Sequence, residues 1–288
     1  MERLARTVAR IVTPQRVIEG AGVRLRRSFP TQALDYPDPF LLFDHFGSEN
    51  PADYLAGFPM HPHRGIETVT YMLAGAVTHR DSMGNAGTIA GGDVQWMTAG
   101  RGILHEEMPQ PRDGMMAGFQ LWVNLPAKDK MIPPRYQEIA ANTIPEVRRE
   151  DGVRILVIAG AADGVRGPVT EIVADPTYLD ISVPANLTCR QPTPRGHAVL
   201  AYVFEGEGSF GGSGGRTGTA VSAPKMVVFD DGDYVEVRSG SQPLRFLLMS
   251  GKPSHEPIVR YGPFVMNTWE EIEQTLGELR AGAFPPSN

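Results

Sequence analysis

The residues that decide the fold are Gly91-Gly-Asp-Val-Gln-Trp-Met-Thr-Ala-Gly-Arg-Gly-Ile-Leu-His-Glu-Glu107. Glycines bracket the run Val94 to Thr98 on both sides, and they permit the sharp bends that return a strand to a β-barrel. A second run, Ile103 to Glu107, follows at once and ends in a histidine and two glutamates. We expect Asp93 to stabilise its turn rather than to bind a ligand. The stretch predicts two short barrel strands, the second of which carries side chains of the metal-ligand type.

A second ligand pair, His61-Pro62-His63, precedes this stretch. Pro62 favours an extended backbone, and alternate residues of a strand point to the same face. If the two strands are neighbours, three imidazoles and one carboxylate converge on a single point, from His61, His63, His105 and Glu107. Such a set suits Fe(II), Mn(II), Ni(II), Cu(II) or Zn(II). The alternative is that the first two histidines are exposed loop residues and the third is a hydrogen-bonded core histidine.

Two further glutamates bear on the fourth ligand. Glu67 has the parity of His61 and His63, so it is a rival ligand, an acceptor for an imidazole N–H, or a plain surface carboxylate. Glu106 has the parity opposite to His105, and we expect it not to bind metal.

Other patterns carry less chemistry. A helical zinc-protease motif is excluded, because Pro109 stands four residues after His105 where a second histidine is needed. The glycines from Gly206 to Gly211 fit a dinucleotide fingerprint, but more glycines follow instead of a helix, so a hairpin loop is expected. The remaining histidines are expected to be ordinary polar residues, namely His45, His79, His197 and His255. Aromatic and sulfur-containing residues that could line a pocket or fill a core are Phe58, Trp96 and Met97.

Composition limits the function classes. The chain has 288 residues, enough for two domains, and its net charge of −6 argues against direct nucleic-acid binding. Its longest apolar runs are far too short to span a bilayer, so no membrane segment is expected. The first thirty residues lack the apolar core of a secretory signal, and the one cysteine, Cys189, cannot form an internal disulfide. A cytoplasmic monomer is expected.

Glycine and proline residues punctuate short β-branched and aromatic runs, which is typical of many short strands joined by turns. The predicted strands are Thr68 to Leu73, Ala76 to Asp81, Val94 to Met97, Ile103 to Glu107, Phe119 to Leu125, Val153 to Ala159, Tyr178 to Val183, Val199 to Phe204, Met226 to Phe229, Tyr234 to Arg238 and Leu244 to Met249. Residues 126–150 are predicted to form a connection. We therefore expect domains at 1–140 and 141–288.

A C-terminal helix is predicted from a capping box formed by Thr268 and Glu271. Its apolar face is expected to contain Ile272, Leu276 and Leu279, and to pack on a sheet.

The two halves show a weak internal repeat. A shift of 131 residues places His63-Arg64-Gly65 on Pro194-Arg195-Gly196 and Gly75 on Gly206. A shift of 140 residues, which allows for a longer loop, places His105 on Arg245 and Glu107 on Leu247. The repeat predicts two related β-barrels, of which the second has lost every ligand.

These residues make the chain similar to the pirin family of the cupin superfamily. The matching stretches are Asp38-Pro-Phe-Leu-Leu-Phe-Asp44, Phe58-Pro-Met-His-Pro-His-Arg-Gly-Ile-Glu-Thr-Val69, Gly92 to Pro109, Gln120-Leu-Trp-Val-Asn-Leu125 and Gly262-Pro-Phe-Val-Met-Asn-Thr268. The resemblance implies an all-β bicupin fold, in which two cupin-type β-barrels (double-stranded β-helices) pack face to face and a short helix follows. It also implies one metal ion, Fe(II) before Mn, Ni, Cu or Zn, in the N-terminal barrel. Its ligands would be His61, His63, His105 and Glu107, and not Glu67.

Some pirins resemble quercetin 2,3-dioxygenases, which open the central ring of flavonols with O2 and release carbon monoxide. The resemblance therefore implies a flavonol-like aromatic substrate and O2, and Glu107 is the nearest group able to act as the catalytic base. Other pirins are iron-dependent regulators in nuclei. The alternative function is a non-enzymatic, redox-sensing protein that binds a regulatory protein partner.

Overall fold

Short runs of β-branched and aromatic residues between glycines form strands throughout the chain. The computed structural model describes residues 3–110, 114–214 and 217–286. Each strand predicted from the sequence overlaps an observed strand.

The strands of the N-terminal half are β1 (Val8–Val12), β2 (Gln15–Glu19), β3 (Val23–Phe29), β4 (Phe40–Ser48), β5 (Phe58–His63), β6 (Ile66–Ala74), β7 (Ala76–Asp81), β8 (Ala86–Ala90), β9 (Val94–Thr98), β10 (Ile103–Pro109), β11 (Met116–Asn124) and β12 (Arg135–Ile139). Those that follow are β13 (Glu146–Arg148), β14 (Arg154–Ala159), β15 (Ala161–Ala162), β16 (Val165–Arg166), β17 (Thr177–Val183), β18 (Thr188–Pro192), β19 (Ala198–Glu205), β20 (Glu207–Phe210), β21 (Thr219–Ser222), β22 (Lys225–Phe229), β23 (Tyr234–Ser239), β24 (Leu244–Gly251), β25 (Val259–Tyr261) and β26 (Phe264–Met266). The helical segments are the α-helix α1 (Trp269–Arg280) and the 3-10 turns Pro51–Asp53, Ala127–Asp129 and Ala141–Thr143.

Tertiary contacts divide the described residues into two units. The first unit comprises 15–31, 39–110, 114–141 and 254–286, and the second comprises 3–14, 32–38, 142–214 and 217–253. The predicted domains, 1–140 and 141–288, did not include these exchanges at either end of the chain. A sheet edge accepts any strand of suitable pattern, whatever its position in the sequence, and β1 accordingly pairs with β22 in the second unit.

The first unit is a jelly roll of two antiparallel sheets. One sheet has the order β12-β9-β6-β11-β4-β3-β2, and the other has the order β5-β10-β7-β8. The predicted connection 126–150 contains two strands, because β12 adds to β9 as an edge strand and β13 pairs with β14. The edge position of β12 explains why its composition resembles that of a loop: its side chains are partly exposed.

The second unit repeats this arrangement, with the orders β1-β22-β19-β24-β17-β14-β13 and β18-β23-β20-β21. Its interior is filled with apolar side chains, among them Val157, Leu179, Val203, Phe210 and Phe246. The glycines from Gly206 to Gly211 lie in the hairpin of β19, β20 and β21, as expected.

The repeat corrects one alignment made from the sequence. In strand order β23 corresponds to β10, whereas Arg245 and Leu247 lie on β24, which corresponds to β11. The shift of 131 residues therefore continues, and it places His105 on Glu236 and Glu107 on Arg238. The shift of 140 was wrong because no longer loop precedes β23.

The helix α1 begins as predicted. The Thr268 hydroxyl accepts from the Glu271 backbone N–H at 3.2 Å, and the Glu271 carboxylate accepts from the Thr268 N–H at 3.0 Å. Its buried face is formed by Ile272 and Thr275, whereas Leu279 is 38% exposed. The prediction for Leu279 was wrong because the Thr275 hydroxyl is held inside by a buried partner, the Arg64 guanidinium, at 2.8 Å. No helix among the described residues combines the length and the hydropathy needed to cross a bilayer.

Candidate metal centre

Three imidazoles converge on two neighbouring strands of the four-stranded sheet. His61 and His105 are direct cross-strand partners on β5 and β10, and His63 lies two residues further along β5. The ring centroids are 4.4 Å apart for His61 and His105, 4.9 Å for His61 and His63, and 5.1 Å for His63 and His105. One nitrogen from each ring lies within 4.8 Å of the other two, a spacing at which they could hold one metal ion.

Hydrogen bonds orient two of these rings. His61 Nδ1 lies 2.9 Å from the Pro59 carbonyl oxygen, and His63 Nδ1 lies 3.4 Å from that of Pro263. If both Nδ1 atoms donate to these carbonyls, both Nε2 atoms carry lone pairs, and these two atoms are 3.1 Å apart. Two lone pairs at that distance require a proton or a metal ion between them.

Burial supports the second of these choices. His63 and His105 are 3% and 1% exposed, and burial, reinforced by the neighbouring imidazoles, lowers the pKa of each well below its usual value. They are therefore neutral, which is the form that binds metals. Both ring nitrogens of His105 are buried without a hydrogen-bond partner among the described residues. A divalent metal ion fits this donor set.

Glu107 lines the same cavity, but its carboxylate is not part of the imidazole cluster within the described structure. Its Oε1 accepts from the Thr70 hydroxyl on the facing sheet at 3.0 Å. Its role as the fourth ligand therefore stays a prediction. Glu106 points the opposite way and pairs with Arg80, in agreement with its parity.

Glu67 is neither exposed nor in the cavity. It is 0% exposed, its Oε1 accepts from the Thr98 hydroxyl at 2.7 Å, and burial raises its pKa to about 7. The parity argument assumed one strand from His61 to Glu67, whereas β5 ends at His63 and Gly65 (φ 77°) turns the chain into β6. Glu67 then falls on the face of β6 that lies opposite to Thr70.

Other residues named from the sequence take structural places. The Asp93 carboxylate accepts from the backbone N–H groups of Ala90 and Ala141 at 2.8 Å each, which confirms its turn role. Trp96 and Met97 are fully buried core residues, and Phe58 lines the cavity. The imidazole cluster does not include His45, His79, His197 or His255.

The cavity beside the imidazoles has a volume of about 530 Å³. Sequence reasoning missed the charged residues in its wall, because no ligand-type spacing marks them. Arg27 forms a two-pronged ion pair with Asp44, at 2.9 Å and 2.7 Å. Burial raises the pKa of Asp44 to about 6, against the lowering effect of Arg27. Arg260, from the C-terminal segment, lies over the Trp122 ring at 4.9 Å.

Two jelly rolls of the same strand order, one with a histidine cluster beside a cavity, define a two-domain cupin. The chain belongs to the pirin family. The family model described as pirin matches residues 22–123, and that described as the pirin C-terminal cupin domain matches residues 178–285.

Several known proteins are similar over their whole length. A relative from Pseudomonas aeruginosa named "Putative quercetin 2,3-dioxygenase" is 44% identical over 96% of this chain and 97% of its own. The crystal structure of quercetin 2,3-dioxygenase from Acinetobacter baumannii is 34% identical, with a TM-score of 0.88 over 98% of this chain and 99% of that one. A bacterial pirin from Escherichia coli in complex with nickel(II) is 20% identical, with a TM-score of 0.66 over 85% and 99% of the two chains, and this likeness shows the fold alone.

Proposed function

We propose that this pirin is a metal-dependent dioxygenase that opens the central ring of flavonols such as quercetin with O2 and releases carbon monoxide. The observation that carries the proposal is the group of three neutral imidazoles beside a cavity of about 530 Å³. That volume is within the range of pockets that enclose drug-sized ligands. The names of two similar proteins support the same activity.

His61, His63 and His105 would hold the ion, which we propose to be Fe(II), with Mn, Ni, Cu or Zn as less suitable replacements. When bound, the ion would supply Lewis acidity to the flavonol 3-hydroxyl and a path for electrons between substrate and O2. The protein residues hold the ring nitrogens in place through the carbonyl groups of Pro59 and Pro263.

Glu107 is proposed as the fourth ligand and as the base that accepts the proton of the substrate hydroxyl. It lies two residues after His105 on β10, and its carboxylate reaches the cavity. The Thr70 hydroxyl holds it on the side of the seven-stranded sheet at 3.0 Å. A carboxylate within reach of the reacting hydroxyl is the geometric condition for general base catalysis.

The apolar part of the cavity wall orients the substrate rings and excludes water. It includes Leu25, Leu42, Phe46 and Phe58. The indole of Trp122 contacts His63 edge to face, with centroids 5.0 Å apart, so a flat ligand on that wall lies next to the imidazoles.

We also propose a reducing cytoplasm as the location. The one cysteine, Cys189, is buried and unpaired, and burial raises the pKa of its thiol to about 11, which makes it a poor nucleophile.

The test is metal analysis of protein purified without oxygen, followed by oxygen uptake and carbon monoxide release with quercetin. We expect about one metal ion per chain, and equal amounts of O2 consumed and carbon monoxide formed. Metal-bound protein that consumes no O2 with any flavonol would contradict the proposal and would favour the regulatory alternative.

A further inference from the structure

A row of polar side chains crosses the cavity wall at one level of the seven-stranded sheet. Arg27 on β3 is the cross-strand partner of Asp44 on β4, which is opposite Gln120 on β11, which is opposite Thr70 on β6. All four residues line the cavity. We call them the polar row.

Apolar side chains border the polar row on both sides. Leu42 and Trp122 are cross-strand partners two residues along one direction, and Leu25 and Phe46 are partners in the other direction. All four line the cavity as well. The wall therefore offers one narrow polar track between two apolar surfaces, which suits a flat aromatic ligand with polar groups at its ends.

The two ends of the polar row differ in chemistry. At one end the Thr70 hydroxyl donates to Glu107, beside the imidazole cluster. At the other end lies the ion pair of Arg27 and Asp44. Adjacent strands are about 4.8 Å apart, so Asp44, two strands from Thr70, is about 10 Å away. That distance matches the length of a two- or three-ring aromatic molecule.

Asp44 retains hydrogen-bonding capacity. Its side chain is 5% exposed, and each carboxylate oxygen accepts one N–H from Arg27. A carboxylate oxygen accepts two hydrogen bonds, so each oxygen has one lone pair left. Arg27 also pairs with Glu19 at 2.7 Å, which places two carboxylates on one guanidinium. This end of the cavity therefore favours a neutral hydrogen-bond donor over an anion.

We propose that Asp44, held in place by Arg27, is a specificity-determining residue that accepts hydrogen bonds from hydroxyl groups at the remote end of a flavonol whose 3-hydroxyl faces the imidazoles. The inference rests on the proposed function for the class of ligand. It adds that the site selects polyhydroxylated flavonols over flavonols without remote hydroxyls.

The test measures binding rather than turnover. Metal-loaded protein is titrated without oxygen against three ligands: quercetin, 3-hydroxyflavone, and quercetin methylated at every hydroxyl except the one at position 3. The second ligand is smaller and the third is larger than quercetin, and both lack remote donors. Because a hydrogen bond to a charged acceptor contributes about 1.5 to 3 kcal/mol, quercetin should bind at least about tenfold more tightly than either.

The variant Asp44→Asn removes the charged acceptor and keeps the side-chain shape. We expect the preference for quercetin over 3-hydroxyflavone to fall about fivefold or more, with the Kd of 3-hydroxyflavone changed by less than about twofold. The matched control is Asp233→Asn, which removes a carboxylate paired with Arg195 in the second unit and should leave the preference unchanged.

The inference is overturned if the wild-type protein binds the three ligands equally, or fails to bind quercetin, or if Asp44→Asn keeps the wild-type preference. Should Asp44→Asn not fold, the comparison of the three ligands on the wild-type protein decides. Selective binding without oxygen uptake would contradict the proposed activity and leave the role of Asp44 standing, whereas turnover without selectivity would do the reverse.

Discussion

Burial determines the chemistry of single residues in the first unit. The imidazoles of His63 and His105 are neutral because desolvation disfavours their charged form. The same effect acts with opposite sign on carboxyl groups, and it raises the pKa of Asp44 and Glu67. Metal binding relieves the unpartnered nitrogens of His105, so the ion should contribute to stability as well as to chemistry.

Replacing His105 by alanine should abolish metal binding, because it removes the ligand that joins β10 to the pair on β5. We expect less than about one tenth of the wild-type metal content after purification, and no oxygen uptake with quercetin. Elemental analysis measures the first quantity and an oxygen electrode the second. His197→Ala, in the second unit, is the control and should retain both.

Replacing Glu67 by glutamine should change how stability depends on pH. The pKa of Glu67 is raised to about 7 in the folded protein, so its protonated form favours folding. This contribution is fully present below the unfolded-state pKa near 4.5 and is lost as the pH rises through about 7. Relative to Glu67→Gln, wild-type protein should therefore lose about 3 kcal/mol of unfolding free energy between pH 4.5 and 8.

Urea unfolding of metal-free protein at several pH values measures this difference. Glu273→Gln, on the exposed face of α1, is the control and should keep the wild-type pH dependence. A curve for Glu67→Gln that runs parallel to that of the wild type would contradict the assignment.

At the scale of elements, α1 shows which local signals are reliable. Its capping box lies within four residues of sequence, and it was predicted correctly. Its buried face was not, because the burial of Thr275 depends on Arg64, more than two hundred residues away in the chain. Hydrophobic periodicity alone favours leucine over threonine at such a position.

The cap itself should be measurable. Thr268→Ala removes the acceptor for the Glu271 N–H and should lower the unfolding free energy by about 1 kcal/mol. Glu273→Ala, in the same helix but outside the cap, should change it by less than about 0.5 kcal/mol. Equal effects of the two substitutions on denaturant midpoints would show that the capping box contributes nothing.

At the scale of the whole molecule, residues 254–286 complete a unit whose sheets come from much earlier in the chain. Arg64, 1% exposed, donates to Thr275 and to the Glu278 carboxylate. Lys130, equally buried, donates to the carbonyl oxygens of Gly65 and Val265 at 3.0 Å and 2.9 Å. The segment is therefore bound by buried cations, which are costly to leave without partners.

A chain that ends at Pro253 should lose the function of the first unit. Arg64 and Lys130 lose partners, His63 loses the Pro263 carbonyl, and the cavity loses Arg260. We expect no metal retention and a Tm lowered by about 10 °C or more for that unit, measured by elemental analysis and calorimetry. A peptide of residues 254–286, added separately, should restore part of the metal binding. Full metal content in the shortened chain would show that the segment is dispensable.

Much of the fold and the imidazole cluster could be predicted from the sequence, for a physical reason. Strand parity and proline geometry act between neighbouring residues, so the pairing of His61, His63 and His105 follows from short motifs. Arg27, Asp44 and Arg260 could not be found in this way. Their proximity depends on sheet order and on the exchange of chain segments, neither of which leaves a spacing in the sequence.

The return of residues 254–286 to the first unit has a consequence for biosynthesis. Ribosomes release the seven-stranded sheet of that unit long before Pro263 and Arg260 emerge. The wall of the cavity that these residues form is thus added last, after the second unit has been translated. Iron captured by the nascent histidines would meet an open, water-filled site, so loading of the finished centre belongs to the period after translation ends.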